Sequence, residues 1–155
     1  MDSDDLWFPK KLEVTANYYK HNTETNFICH NEIHRKDDVD KQINYFRKYD
    51  RSKSLTSQLF QRSFLSTSAI VCKKSLLSKY DGFDISLPNA QDFDLWIRMS
   101  PKIRLLPIPD LLGIYVVRYN NISSGPILKR AKNLYRVYQK NKNLVSNLVY
   151  FNTLI

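Results

Sequence analysis

Extended and helical patterns alternate along this chain with no linker between them, and that alternation confines it to the α/β class. NFICHNEIH, with Phe27, Ile28 and Ile33, reads as a strand. A second strand is expected near residues 68–72. KIRLLPIPDLLGIYVVR reads as two short strands broken by Pro107 and Pro109. Pro9 opens an expected helix over residues 9–19, with Leu12, Ala16 and Tyr19 at helical spacing. Short helices are expected near 56–60 and 73–79, the second followed by an Asp81-Gly82 turn. NAQDFDLWIRMS reads as a helix start capped by Asn89, with Leu95, Trp96 and Met99 as its apolar stripe. The highly charged residues 35–54 read as a surface loop with a short helix around 43–47. Pro126 begins a final long helix with Leu128, Ala131, Tyr135 and Tyr138 on one side and Lys129, Arg130, Lys132, Arg136 and Lys140 elsewhere on the wheel. NLVSNLVYFNTLI reads as a further helix.

The chain has 155 residues, one domain's worth and long enough for a real core. Gly82, Gly113 and Gly125 are its only glycines, so neither a GxGxxG fingerprint nor a P-loop can be built. No apolar run approaches the ~18 residues that span a bilayer. Cys29 and Cys72 make no disulfide framework and fit a reduced, cytoplasmic setting. The net charge of +9 is unevenly placed. Residues 1–40 carry nine acids against five bases, whereas residues 111–155 carry seven bases and no acid. Such a basic tail suits nucleic acid, a membrane surface, an anionic substrate or simply a solvated helix face.

Three clusters could carry chemistry. Asp2, Asp4 and Asp5 form an Asp-x-Asp turn of the kind that holds a divalent ion, or an acidic turn complementing the dipole of the helix that follows. Asp92 and Asp94 stand at a helix start, where a carboxylate can serve as a general base or merely stabilise the terminus. His30, Glu32 and His34 share one face of a strand, which allows a zinc site or a row of polar groups facing water.

In order and spacing these pieces resemble the C-terminal portion of a family 2 bacterial glycosyltransferase of the GT-A fold. The resemblance runs through Asp2-Ser3-Asp4-Asp5 with Trp7, Pro9, Lys11, Leu12 and Glu13, then residues 68–77 and Gly82-Phe83-Asp84. It continues through Gln91-Asp92-Phe93-Asp94-Leu95-Trp96-Ile97-Arg98, then Tyr115 and Asn121-Ile122-Ser123. It implies a partial Rossmann-like GT-A domain over residues 1–125, a short mixed sheet flanked by helices, and a basic amphipathic helical tail over 126–155.

It also implies an inverting transfer of a sugar from a nucleotide-diphospho-sugar, most naturally a UDP-sugar, to a glycan or lipid-linked acceptor in surface polysaccharide or oligosaccharide synthesis. Asp4 and Asp2 would hold Mn²⁺ or Mg²⁺, a Lewis acid for the leaving diphosphate. Asp5 and Arg118 would contact the donor diphosphate, Arg118 standing where such enzymes often carry a histidine. Asp92 would be the general base. Gly82, Phe83, Asp84, Gln91 and Trp96 would shape the acceptor side, and Arg98 would tie down its helix. In such enzymes a nucleotide-binding half precedes the Asp-x-Asp turn, so the chain is expected to be truncated, inactive alone or dependent on a partner chain. The alternative is a non-catalytic remnant or interaction module. No nucleic-acid partner is expected. Residues 126–155 suit peripheral contact with the inner face of the membrane or packing on the domain.

Overall fold

The computed structural model describes residues 5–118 and 126–154. Along the chain run β1 (Leu6–Trp7), α1 (Lys11–His21), β2 (Phe27–Lys36), β3 (Val39–Ile43), α2 (Leu55–Gln61) and β4 (Ile70–Cys72). There follow α3 (Lys74–Ser78), α4 (Gln91–Met99), β5 (Leu105–Val116), α5 (Ile127–Asn141) and α6 (Asn147–Leu154). They form two compact units interleaved in sequence. The sheet unit comprises Met1–Lys48, Leu65–Lys73 and Ile103–Arg118; the helical unit comprises Tyr49–Phe64, Lys74–Lys102 and Tyr119–Ile155.

The sheet unit is built on a parallel pair, β2 with β5, and the order is β1-β5-β2-β3 with β4 also paired to β2. The other pairings are antiparallel, so the sheet is mixed, as expected. Helix α1 lies against it through Val14, Tyr18 and Tyr19, which pack on Ile28, Ile108 and Leu112. Two tyrosine hydroxyls pin the helix further: Tyr19 donates to the Val71 carbonyl at 2.8 Å and Tyr18 to Asp110 at 2.9 Å. The expected stripe of Leu12, Ala16 and Tyr19 is out of phase, because Lys11 and Thr15 are buried and Leu12 is 62% exposed. A rule that sorts by hydropathy turns the helix away from its buried lysine.

Three further expectations are corrected. Residues 35–54 are not a plain charged loop: β2 turns back into β3, with Lys36 opposite Val39 and Arg35 opposite Asp40. The two turn residues, Asp37 and Asp38, both have positive φ (49° and 62°), the backbone of a tight hairpin that glycine or asparagine more often supplies. Residues 43–47 form no helix. The segment around Pro107 and Pro109 is one strand rather than two, with irregular register: His30 faces Ile108, but Asn31 faces Leu111. Both prolines lie where β5 has β2 alone beside it, since β1 reaches only Gly113 and Ile114. The missing proline N–H groups are tolerated at an open edge or a bulge.

The helical unit centres on α4, whose Phe93, Leu95, Trp96, Ile97 and Met99 are buried. Tyr138 of α5 joins that core, with ring centroids 5.8 Å from Phe93 and 5.4 Å from Phe60 of α2. The Ser100 hydroxyl donates to Thr56 at 2.7 Å. Asn89 does not cap α4. The residue at the cap is Ala90, in the left-handed region at φ 58°, and the Asn89 side-chain Oδ1 instead accepts from Asn133 at 2.9 Å. On α5 the buried residues are Asn133, Val137, Tyr138 and Asn141, so of the stripe expected there only Tyr138 is buried.

Candidate functional site

The first candidate cluster begins at Asp5, because Asp2, Ser3 and Asp4 lie outside the described residues. Strand β1 brings Asp5 beside the sheet, where it is 4% exposed. One of its oxygens accepts from the Ser68 hydroxyl and the other from the Val116 amide at 3.0 Å. Asp5 therefore ties together three segments far apart in sequence. Gly113 allows this close approach: a Cβ there would stand 2.8 Å from the Leu6 carbonyl oxygen.

Beneath this junction lies a buried polar group that sequence reasoning missed. Lys11 is fully buried; its ammonium donates to the Ser68 carbonyl at 2.5 Å and sits 4.0 Å from the centre of the Trp7 ring. Burial pushes its pKa down to about 8, against the pull of Glu32, Cys29 and Asp5. Glu32 is 1% exposed and accepts from Tyr45 at 2.8 Å and Ser66 at 2.7 Å through one oxygen. Its other oxygen has no hydrogen-bond partner among the described residues. Burial raises its pKa despite the two hydroxyls. The Tyr45 hydroxyl also lies 2.9 Å from Nε2 of His34.

These positions overturn the reading of His30 and Glu32 as polar groups facing water. His30 is fully buried, its Nδ1 donating to the Asn31 carbonyl at 2.7 Å, and burial lowers its pKa to about 4. Nor do His30, Glu32 and His34 converge: among the described residues no three His, Cys, Asp or Glu side chains group to hold a metal ion. The one legible signal was Lys11, which stands inside the motif that carries the resemblance.

The second candidate cluster surrounds the N-terminus of α4. Asp92 is partly exposed in the first turn, and one of its carboxylate oxygens accepts from the Phe93 amide at 2.8 Å. Asp94, two residues on, is fully buried and has a different environment. It accepts from Arg98 at 2.7 Å, Asn141 at 3.0 Å and Lys140 at 3.2 Å. Arg98 also donates to the carbonyls of Tyr80 (2.5 Å) and Gly82 (2.7 Å), so the helix holds the turn at Asp81 and Gly82. Both turn residues have positive φ, which glycine adopts freely and aspartate tolerates.

The expected acceptor-side residues fall around this hub. Asp84 pairs with Lys140 at 2.6 Å and accepts from the Ser86 hydroxyl and amide, contacts that hold its carboxyl well below the usual range. Gln91 donates to the Leu87 carbonyl at 2.7 Å. Trp96 is 3% exposed and meets Phe83 edge-on at 6.3 Å, which leaves Phe83, at 47% exposure, as the ring that solvent reaches. Lys140 and Asn141, from α5, complete the hub and carry no local sequence signal. Arg118 is exposed beyond the end of β5, and Asn121, Ile122 and Ser123 lie outside the described residues.

No protein-family model matches the chain. Over 160 residues it is 26% identical to an uncharacterized glycosyltransferase of Methanocaldococcus jannaschii, covering 97% of this chain and 53% of that protein. The likeness is to a glycosyltransferase. The chain spans about half the length of the relative it matches.

Proposed function

We propose that this chain carries the metal-side turn and acceptor side of an inverting, GT-A-type glycosyltransferase of family 2 that uses a nucleotide-diphospho-sugar. The observation that supports this most is the contrast between Asp92 and Asp94. The buried Asp94 is fully occupied in bracing its helix and the Asp81-Gly82 turn, while Asp92 on the same turn reaches solvent. A general base needs both a rigid mount and access to substrate.

In the reaction, the acceptor oxygen attacks the anomeric carbon as the bond from that carbon to the diphosphate oxygen breaks. Asp92 takes the acceptor's proton, the nucleoside diphosphate departs with the electron pair, and the configuration inverts. Asp4 and Asp2 would hold Mn²⁺ or Mg²⁺, which would neutralise the departing diphosphate. Asp5 anchors the end of that turn on the sheet, and Arg118 pairs with phosphate oxygens. Phe83, backed by Trp96, offers a ring face to the acceptor sugar. The acceptor is a glycan or a lipid-linked glycan.

Calorimetric titration of the chain with UDP, with and without Mn²⁺, tests the metal side: metal-dependent heat that Asp4→Asn abolishes is expected. Heat unchanged by Asp4→Asn counts against the metal assignment. For the base, Asp92→Asn in a transfer-competent assembly should lower kcat by about 10²–10⁴-fold with the fold retained. Transfer that survives the change refutes the assignment.

A further inference from the structure

Helix α5 carries two parallel rows in water. Leu128, Ala131 and Tyr135 follow one another at three and then four residues, all exposed, Leu128 at 86%. One residue further on, Lys129, Lys132 and Arg136 repeat the same spacing and are also exposed. Residues three and four apart on a helix lie over one another, so these are an apolar row and an adjoining basic row. The helix is seated in its own unit by a different face, that of Val137, Tyr138 and Asn141. Packing on the unit therefore accounts for one side of α5; among the described residues the double row is exposed, its one side-chain bond being from Gln139 of the same helix to the Tyr135 hydroxyl.

We propose that this double row binds the surface of an anionic lipid bilayer, with the helix lying in the plane of the interface. Leu128 and the ring of Tyr135 enter the boundary between headgroups and acyl chains, where a tyrosine keeps its hydroxyl wet. Lys129, Lys132 and Arg136 pair with lipid phosphates beside them. Charge decides among occupants. Residues 111–155 hold seven Lys and Arg and no Asp or Glu, so two copies facing each other through this row would bring basic rows together without a carboxylate between them. An anionic surface meets no such repulsion. Lys140 takes no part, because Asp84 and Asp94 already hold it. None of the described helices is long and apolar enough to cross a membrane.

The inference stands apart from sugar transfer, since it needs neither donor nor acceptor. The 155-residue chain is sedimented with vesicles of phosphatidylcholine alone, or of three parts phosphatidylcholine to one part phosphatidylglycerol. Binding to the anionic vesicles only, falling steeply with salt, is expected. Lys132→Glu should weaken it about fivefold or more. Leu128→Glu should weaken it about tenfold. Both side chains are exposed, so melting curves of the variants should match the parent chain. Equal binding to neutral vesicles, no binding to either, or unchanged binding by both variants would overturn the proposal. So would a concentration-dependent dimer that Leu128→Glu dissolves in the absence of vesicle binding, which would assign the row to a second copy.

Discussion

Each unit buries a carboxylate at its centre, and the two solve the problem differently. In the helical unit Asp94 meets Arg98, Lys140 and Asn141, so its charge is opposed by cations and its oxygens are bonded. In the sheet unit Glu32 meets two hydroxyls, from Tyr45 and Ser66, with the buried Lys11 as its nearby counter-charge. The second arrangement leaves both ions uncomfortable: the pKa of Glu32 is raised and that of Lys11 lowered, both chiefly by burial. The first holds Asp84, next to the same lysine that serves Asp94, well below its usual range. Charge paired with charge braces a helix and turn; charge among hydroxyls builds a junction in which burial shifts both groups toward their neutral forms.

The largest effect should come from breaking the hub. Asp94→Ala strands Arg98 and Asn141 and releases the Tyr80–Gly82 carbonyl contacts from their brace. A loss of about 3 kcal/mol in urea unfolding is expected, as for removal of one partner from a buried pair. A loss below about 1 kcal/mol would mean that the cations brace the helix without it.

Lys11→Met sharpens the other side of the comparison. The methionine keeps much of the packed stem and removes a buried charge, so stability at neutral pH should change by only about 1 kcal/mol. The pH profile carries the sharper signal. The folded pKa of about 8 lies below the ordinary 10.5, so between those values this group holds more protons in the unfolded chain and its own contribution to stability rises with pH. That contribution, read by thermal melts as the difference in pH profile between the parent chain and Lys11→Met, should be absent from the variant. Its persistence would assign it to another group.

The smallest effect concerns the mount of Asp92. Ala90 occupies the left-handed region one residue before α4, a conformation that strains a Cβ. Ala90→Gly should relieve that strain and raise stability by a few tenths to about 1 kcal/mol, read as a higher denaturation midpoint. A lower midpoint would show that the backbone entropy of glycine outweighs the strain relieved.

The misphased helix faces share one cause. Lys11 on α1, and Asn133 and Asn141 on α5, are buried polar residues with partners supplied from distant segments, and the buried Thr15 bonds back to its own helix. Periodicity assigns such residues outward, so each helix face was misphased. The hairpin at Asp37 and Asp38 was hidden because the turn uses aspartate where glycine is the usual marker. The prolines of β5 looked like strand breakers because the sequence does not show where β1 ends.

The α/β class follows from the sequence alone, through alternating patterns that local backbone preference and solvation impose on any chain. So does the order of short motifs that resembles a glycosyltransferase, because chemistry fixes residue types at short spacing. Only the tertiary structure decided that Asp94 is the brace and Asp92 the carboxylate that solvent reaches. Both are acids in the first turn of one helix. What sets Asp94 in its role is the contact that α5 brings to it, and a contact across 47 positions leaves no mark on local pattern.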